Sequence, residues 1–344
     1  MAGSAIAVLH YGLGPIGAGT LRVVAGRPGL RVVGAVDVDP GKVGRDAGEV
    51  AGLGHALGVT VSGDAQRTLA EARPDVVVHC TGSFLPDVMP QLRGIVAARS
   101  AVVSTCEELA FPWPRQPALA REIDDLARAM GVAVLGTGVN PGFVMDLLPL
   151  VLSAVTDRVR AVRVTRVVDA AERRGPLQRK IGAGITPDEF ERRAAGGRMG
   201  HVGLAESLYM VAAGLGWDLE EFADTLEPVL ATTAVETPHT RVLPGQVAGI
   251  HQTARGRTAH GQSIELELAM YVGAPDARDE VVIVGDPGTR LLIPGGIFGD
   301  AATAAIVANA ILVVRSAAPG LHTMGNLPPL PPCTGASAGT HHGP

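Results

Sequence analysis

The stretch Tyr11-Gly12-Leu13-Gly14-Pro15-Ile16-Gly17-Ala18-Gly19-Thr20 decides the fold of the first part of the chain. It directly follows residues 5–9, a short, apolar, β-favouring run that predicts a buried strand. Its glycines fit the pattern G-x-G-x-x-G of a dinucleotide-binding turn, and those that define the pattern are Gly12, Gly14 and Gly17. The first glycine permits the tight turn, the second lets the backbone approach a pyrophosphate, and the third lets helix and strand pack closely.

The residues after the second glycine predict the start of a helix. Pro15 suits a first helical turn, where a proline forfeits no hydrogen bond, and residues 20–25 have a helical pattern. The unpaired N–H groups and the dipole at a helix start favour the charge of a phosphate. Pro15 and Ile16 are therefore candidate cofactor-binding residues together with the three glycines.

A second predicted strand, residues 30–36, ends in Asp37, about 20 residues beyond Gly17. A Rossmann unit places there the carboxylate that accepts hydrogen bonds from the adenosine ribose hydroxyls. Asp37 favours NAD(H) over NADP(H), because a carboxylate repels a 2′-phosphate, whereas the nearby Lys42 and Arg45 oppose that preference. Both cofactors remain open, with NAD(H) slightly preferred. The alternative is a glycine-rich turn that binds no nucleotide.

The composition predicts a globular protein of two domains. The chain has 344 residues, of which 47% are hydrophobic and 18% charged, and a net charge of −5 gives no reason to expect nucleic acid or a membrane as a partner. Cys80, Cys106 and Cys333 have no metal-ligand spacing, so we predict no metal site and a reducing, cytoplasmic location. No uncharged apolar run reaches about 18 residues, and the first strand starts too early for a signal peptide.

The fourth predicted strand, residues 76–80, ends in the polar loop Thr81-Gly82-Ser83. Ligands of open α/β sheets bind beside the carboxyl ends of the strands. Thr81, Gly82 and Ser83 are therefore candidates to contact the nicotinamide half of the cofactor. An ordinary strand-to-helix turn with Ser83 as the helix cap fits the same residues.

The next strand, residues 101–105, runs into two adjacent acids, Glu107 and Glu108, within the apolar stretch 106–113. A carboxylate in an apolar pocket tends to have a raised pKa, which suits proton transfer near neutral pH. A helix N-terminus, where the dipole favours glutamate, explains the pair equally well. Strand alternation would put Glu107 and Glu108 on opposite sides, so that one of them faces the cofactor.

The loop at residues 136–146 is dense in glycine and proline and predicts a hinge and one wall of an interdomain cleft. Thr137, Val139 and Phe143 are thus candidates for the substrate pocket. Asn140 is a candidate to bind the nicotinamide carboxamide or the substrate, or else to cap a helix that begins near Met145.

The predicted fold class is α/β, a doubly wound parallel Rossmann sheet with a second α+β domain that has an open, mainly antiparallel sheet. The Rossmann domain is placed at residues 1–142 and the substrate and dimerisation domain at 143–297. Residues 298–330 are expected to hold a strongly apolar helix that returns to the Rossmann domain, and residues 331–344 a loose tail.

Four segments together resemble the native amine dehydrogenases, relatives of 2,4-diaminopentanoate dehydrogenase within the dihydrodipicolinate-reductase-like group. They are GLGPIG at 12–17, EELAFPW at 107–113, GTGVNPGF at 136–143 and PGLHTM at 319–324. The resemblance implies reductive amination of small ketones or aldehydes with ammonia and NAD(P)H, and the reverse oxidative deamination, in a homodimer without metal. It implies a catalytic glutamate in the Glu107-Glu108 pair, with Glu108 favoured. The His-x-x-x-Lys-x-Asp element and Ser-Gly-Thr loop of dihydrodipicolinate reductases do not occur in this sequence.

Three functions remain open at this stage. The first is an NAD(P)-dependent amine dehydrogenase for small, mostly apolar amines or ketones. The second is 2,4-diaminopentanoate dehydrogenase or a related enzyme for a carboxylate-bearing substrate, which needs a cation in the pocket; the candidates are Arg163, Arg166, Arg173 and Arg179. The third is a non-catalytic NAD(P)-binding sensor, which has no need of paired acids. An apolar pocket would favour the first function and an inward arginine the second.

Overall fold

The computed structural model describes residues 5–197 and 199–332. Two compact units make up the chain: the first unit comprises residues 1–139 and 299–344, and the second unit residues 140–298. The predicted domain boundaries lie three residues after the first division and one residue before the second. The predicted tail falls largely on residues 333–344, which lie outside the described residues.

The first unit alternates strands and helices up to residue 139. Its elements there are β1 (Ile6–Tyr11), α1 (Pro15–Ala25), β2 (Leu30–Val36), α2 (Ala47–Ala51), β3 (Val61–Ser62), α3 (Ala65–Ala72), β4 (Val76–His79), α4 (Leu85–Ala97), β5 (Ala101–Ser104), a 3-10 turn (Glu107–Ala110), α5 (Pro117–Met130) and β6 (Ala133–Gly136). Helix α1 begins at Pro15, five residues before the segment with the helical pattern, because a proline at the first position needs no N–H partner.

The second unit begins with helices around one long strand and continues as a sheet. Its elements are α6 (Leu147–Ser153), β7 (Arg158–Asp169), α7 (Gly175–Lys180), α8 (Pro187–Ala195), α9 (Leu204–Gly214), β8 (Glu221–Leu230), β9 (Val235–Glu236), β10 (Arg241–Val242), β11 (Val247–Arg257), β12 (Ser263–Tyr271), β13 (Arg278–Asp286) and β14 (Thr289–Pro294).

The chain then returns to the first unit through α10 (Gly299–Ser316) and β15 (Gly320–His322). Helix α10 packs against α1 and against strands β4, β5 and β6, as its apolar sequence predicts. It is also the one helix among the described residues that is long and apolar enough to cross a membrane by length and composition. The three-residue strand β15 pairs with β6, and its shortness hid it from the sequence pattern.

The first unit forms one seven-stranded parallel sheet in the order β15-β6-β5-β4-β1-β2-β3. Strands β4, β5 and β6 are buried on both faces, which explains their continuous apolar runs. The order reverses direction between β1 and β4, the point where doubly wound sheets bind their ligands. The predicted Rossmann sheet is therefore confirmed, and its carboxyl edge positions the candidate site.

The second unit forms a six-stranded sheet in the order β14-β13-β7-β12-β11-β8. Only the β7–β12 pair among these described strands is parallel, which confirms the mainly antiparallel sheet. Strands β8 and β13 escaped sequence prediction for two reasons. Edge strand β8 is largely exposed and shows no apolar alternation, and β13 opens with the charged run Arg278-Asp279-Glu280.

His10 on β1 is a completely buried histidine whose protonation is coupled to folding. Burial lowers the pKa of its imidazole from 6.5 to about 3. Between these values the unfolded chain binds a proton that the folded chain does not bind, so stability falls as the pH falls through this window. Between pH 7 and pH 4.5 this single group is expected to lower the free energy of unfolding by about 2.5 kcal/mol.

Replacing His10 by leucine removes that proton uptake. Urea unfolding at pH 7 and pH 4.5 is expected to show a stability loss about 2.5 kcal/mol smaller in His10→Leu than in the wild type. His55→Gln, at an exposed histidine of the same unit, is the matched control. An identical pH dependence of wild type and His10→Leu would contradict the prediction.

Candidate active site

The turn after β1 is shaped to leave room for a phosphate. A side chain at Gly17 would place its Cβ 1.9 Å from the carbonyl oxygen of Gly12, so α1 can start this close to the turn only with glycine there. At Gly14, the N-cap of α1, a Cβ would meet no described atom within 4 Å. The open space therefore lies at the start of α1, whose first two residues are Pro15 and Ile16. This arrangement fits the pyrophosphate of a dinucleotide.

Asp37 lies at the end of β2 and is fixed by the turn that it faces. Its Oδ2 accepts hydrogen bonds from the amide of Leu13 at 2.7 Å and from Lys42 Nζ at 3.2 Å, and its Oδ1 accepts from the amide of Asp39 at 2.9 Å. Burial works to raise the pKa of Asp37, but these hydrogen bonds and the Lys42 charge outweigh it and hold the pKa below its usual value. Asp37 is thus an anchored carboxylate with an ammonium beside it.

The carboxyl ends of β4 and β5 are joined by a polar network around His79. Its Nδ1 lies 2.8 Å from Ser104 Oγ, and its Nε2 lies 2.7 Å from Gln91 Oε1 and 2.9 Å from Thr81 Oγ1. Because the Gln91 oxygen can only accept, Nε2 carries the proton and Nδ1 accepts from the Ser104 hydroxyl. Burial lowers the pKa of His79 to about 4, so the ring is neutral near pH 7. Ser104 Oγ also accepts from the amide of Cys106 at 3.1 Å.

The two acids lie in the 3-10 turn that follows β5, not on a continuing strand. Strand alternation therefore does not apply to them, because side chains in a 3-10 turn do not alternate by two, and that only one of the two faces the cofactor stays a prediction. Glu108 is 5% exposed, whereas Glu107 is half-buried. Glu108 Oε2 accepts from the amide of Leu85 at 2.7 Å, at the N-terminus of α4. Glu108 therefore does lie at a helix N-terminus, but the helix is the neighbouring α4. It is also a buried carboxylate at the carboxyl edge of the sheet.

Close packing against β6 fixes the position of this acidic turn. A Cβ at Gly136 would lie 2.5 Å from the carbonyl carbon of Leu109 and 2.6 Å from the amide nitrogen of Ala110. The next residue, Thr137, donates its amide to the Ser104 carbonyl at 2.8 Å and is 3% exposed. Thr137 Oγ1 is buried without a hydrogen-bond partner in the described part of the chain. Val139 is also buried.

The loop after β4 supports the acidic turn through its backbone. The Ser83 carbonyl accepts from the Glu108 amide at 3.2 Å and from the Cys106 thiol at 3.3 Å. Ser83 does not cap α4, because the N-cap is Phe84 and no side chain bonds there. Thr81 is exposed and donates its hydroxyl to Gln91 Oε1 at 2.6 Å. Gly82 lies between Thr81 and Ser83 in the sequence. Contact of these three residues with a nicotinamide stays a prediction.

In the second unit, Asn140 binds a histidine and does not cap a helix. Its Nδ2 donates to His201 Nε2 at 3.0 Å, and the N-cap of α6 is Asp146. Asp146 is fully buried and accepts from the amides of Gly142 and Leu147. Burial raises the pKa of Asp146 in spite of these bonds. Asp146 therefore orders the loop that carries Asn140 and the half-buried Phe143.

His201 is the acceptor in that pair, because Nε2 faces an amide NH2 group. Burial lowers the pKa of His201 to about 3, and the positive charges of Lys180, Arg166 and Arg173 lower it further. The ring is therefore neutral at physiological pH and lies in electropositive surroundings.

Two of the four candidate arginines point inward. Arg166 is 2% and Arg173 7% exposed, whereas Arg163 and Arg179 are exposed. Arg166 donates from Nη1 to Asp279 Oδ2 at 2.8 Å and from Nη2 to the Ile297 carbonyl at 2.7 Å. Burial lowers the pKa of Arg166 and raises that of Asp279. Both buried arginines line a cavity of about 170 Å³.

The described cysteines do not supply a nucleophile. Burial raises the pKa of Cys80 to about 12 and that of Cys106 as well, so neither is a thiolate near pH 7. Between residues 5 and 332, Arg198 aside, no three His, Cys, Asp or Glu side chains are grouped to hold a metal.

Sequence reasoning missed several side chains of the site. His79 and Ser104 lie within the predicted strands, and the structure makes them register partners at the ends of β4 and β5. Polar residues at the ends of adjacent buried strands are a usable signal, because parallel strands bring their carboxyl ends together. His201 and Asp279 carried no such signal, because their partners are distant in sequence.

Comparison with known proteins identifies the family. A profile of the 2,4-diaminopentanoate dehydrogenase C-terminal domain matches residues 143–341. A 2,4-diaminopentanoate dehydrogenase of Acetoanaerobium sticklandii is 32% identical over 94% of this chain and 93% of its own length. An amine dehydrogenase of Streptomyces virginiae is 29% identical over 67% of this chain and 65% of its own length.

The structure of an amine dehydrogenase from Mycobacterium smegmatis matches this fold with a TM-score of 0.87 and 29% identity, covering 95% of this chain and 97% of that one. The profile match spans more than half of the chain, and the similarity to the Acetoanaerobium enzyme spans nearly all of it. The chain thus belongs to the family of 2,4-diaminopentanoate and amine dehydrogenases, distantly related to the dihydrodipicolinate reductases, and is an NAD(P)-dependent dehydrogenase that acts on amine substrates.

Proposed function

We propose that this enzyme deaminates a small carboxylate-bearing diamine of the 2,4-diaminopentanoate type, and aminates the corresponding ketone in reverse. The observation that carries this proposal is the inward position of Arg166 and Arg173, since an apolar amine needs no buried guanidinium. The similarity to the Acetoanaerobium enzyme supports the same substrate class. Small apolar amines, the first expectation from the sequence, become the second candidate, which the likeness to the Mycobacterium enzyme favours.

The first unit supplies the cofactor site in this proposal. When bound, the nicotinamide accepts a hydride during deamination and donates one during amination. The turn at Gly12–Gly17 would hold the pyrophosphate, and Asp37 the adenosine ribose. Thr81, Gly82, Ser83 and Asn140 remain proposed contacts of the nicotinamide half.

Glu108 is the proposed proton-transfer group. Oε2 is held by the Leu85 amide, and the N-terminus of α4 favours a negative charge at this position. Because Oε2 is engaged by the Leu85 amide, Oε1 is the oxygen that we assign to an ammonium ion. Taking a proton from ammonium would release the free amine that attacks the carbonyl, and returning it would assist the loss of water. Glu107 is the alternative.

The proposed activity is tested by NAD⁺ and NADP⁺ reduction with 2,4-diaminopentanoate and with pentan-2-amine at alkaline pH. We expect a higher kcat/KM for the diamino acid. A preference for pentan-2-amine would support the second candidate. Oxidation of NADH by small ketones without ammonium, or tight cofactor binding without turnover of either amine, would contradict the proposed substrate.

Glu108→Gln tests the acid assignment without removing the acceptor for the Leu85 amide. We expect kcat to fall by at least about 100-fold, because the amide cannot take a proton, while NADH affinity stays within about threefold. Stopped-flow turnover and NADH fluorescence titration measure the two quantities.

Glu107→Gln is the matched variant, one residue away in the same turn. It is expected to retain most of the activity. The opposite pattern, with Glu108→Gln active and Glu107→Gln inactive, would transfer the role to Glu107.

The Asp37–Lys42 pair predicts how the cofactor preference shifts. Asp37→Asn keeps an acceptor for the Leu13 amide but removes the charge that repels a 2′-phosphate, so the NAD⁺ to NADP⁺ ratio of kcat/KM should fall about tenfold. Lys42→Gln should raise that ratio, because it removes the adjacent ammonium. Arg45→Gln, at an exposed arginine of the same loop, is the control. If neither Asp37→Asn nor Lys42→Gln changes the ratio, this pair of residues does not determine the cofactor preference.

A further inference from the structure

The cavity of about 170 Å³ in the second unit is lined by charged side chains and one aromatic ring. It lies between the end of β7 and the segment at residues 295–298. Its wall holds two arginines, three acidic residues and one aromatic residue: Arg166, Arg173, Asp169, Glu172, Asp279 and Phe298. At about 30 Å³ for each water-sized group, it has room for about five or six such groups. That is the size of the ammonium and carboxylate end of an α-amino acid.

Asp279 brings an unused acceptor to this cavity. Its Oδ2 accepts from Arg166 Nη1 and from the Ile297 amide, both at 2.8 Å. Its Oδ1 is buried and accepts no hydrogen bond from any part of the chain that the structure describes. A buried carboxylate oxygen left unpaired is costly, and an ammonium group would satisfy it.

Arg173 is held in place before any ligand arrives. The buried Gln178 donates from Nε2 to the carbonyls of Ala170, Ala171 and Arg173 at 2.9, 3.1 and 3.0 Å, which fixes the turn after β7. The Arg173 guanidinium lies 5.1 Å from the centre of the Phe298 ring. A planar guanidinium matches a carboxylate with two parallel hydrogen bonds, and fixing it in advance lowers the entropy cost of binding.

We propose that this cavity is the subsite for the α-amino acid end of the substrate, with Arg173 binding the carboxylate and Asp279 Oδ1 the 2-ammonium. The inference rests on the proposed function and deepens it. The amine that reacts is then the one on the far carbon of the substrate.

The first test compares substrates with and without the carboxylate. In Arg173→Met, KM for 2,4-diaminopentanoate should rise on the order of 100-fold, the loss expected for a charge-assisted pair, while KM for 2,4-diaminopentane stays within about threefold. Arg173→Lys keeps the charge and should recover part of the loss. Arg163→Met, at an exposed arginine of β7, should leave both KM values unchanged. An equal rise for both substrates in Arg173→Met would overturn the assignment.

The second test addresses the ammonium. 4-Aminopentanoate keeps the carboxylate and the far amine but lacks the 2-amino group, so the wild type should show a KM at least about tenfold above that for 2,4-diaminopentanoate. Equal KM values for the two substrates would overturn the role of Asp279.

A binding experiment separates this inference from the proposed function. 2-Aminopentanoate carries the amino acid end and has no far amine, so calorimetry reports its binding without turnover. One outcome is that 2-aminopentanoate binds to the wild type and not to Arg173→Met, while the enzyme does not oxidise 2,4-diaminopentanoate. That outcome would support the subsite and refute the proposed function. The other outcome is that the enzyme oxidises 2,4-diaminopentanoate, but Arg173→Met changes neither its KM nor the binding of 2-aminopentanoate. That outcome would support the proposed function and refute the subsite. NADH affinity and melting temperature establish that each variant is folded.

Discussion

The first unit depends on two positions at which no side chain fits. A Cβ at Gly17 would overlap the Gly12 carbonyl oxygen at 1.9 Å, and a Cβ at Gly136 would press on the backbone of Leu109 and Ala110 at 2.5 to 2.7 Å. The first contact sets where α1 starts relative to β1, and so where its free amides point. The second sets how closely the acidic turn packs on β6. Backbone contacts of this kind are rigid, so both halves of the site are positioned by main chain.

Hydrogen bonds then fix the acidic turn within that frame. The Cys106 amide bonds to Ser104 Oγ, the Glu108 amide to the Ser83 carbonyl, and Glu108 Oε2 to the Leu85 amide. These bonds tie the turn to its own strand, to the loop after β4 and to the start of α4. A carboxylate on a turn that is tied at three places, and itself held by the Leu85 amide, reorganises little during proton transfer, which is what a pre-formed catalytic group requires.

The sequence allowed prediction wherever chemistry demands a fixed spacing. The dinucleotide turn and Asp37 follow from such a spacing, and the acidic pair follows from its position directly after a buried strand. The side on which each glutamate lies did not follow, because the chain leaves β5 through a 3-10 turn. The sequence also did not allow us to predict which arginine is buried. Arg163 and Arg166 lie three residues apart on β7, hence on opposite faces, and each has a valine beside it, so only the observed sheet reveals which one is buried.

The buried charges of the second unit bear on substrate choice more than on stability. Replacing a buried ion pair by apolar residues of the same volume is often neutral or stabilising, so the Arg166–Asp279 pair at 2.8 Å is weak evidence for a structural role. An enzyme for purely apolar amines would lose little by exchanging these groups for leucine and methionine. An enzyme for a diamino acid would lose the means to distinguish it from a simple amine, because a site built for charged groups rejects ligands that lack them. Specificity is therefore the physical reason to keep such groups in an otherwise valine-rich sheet.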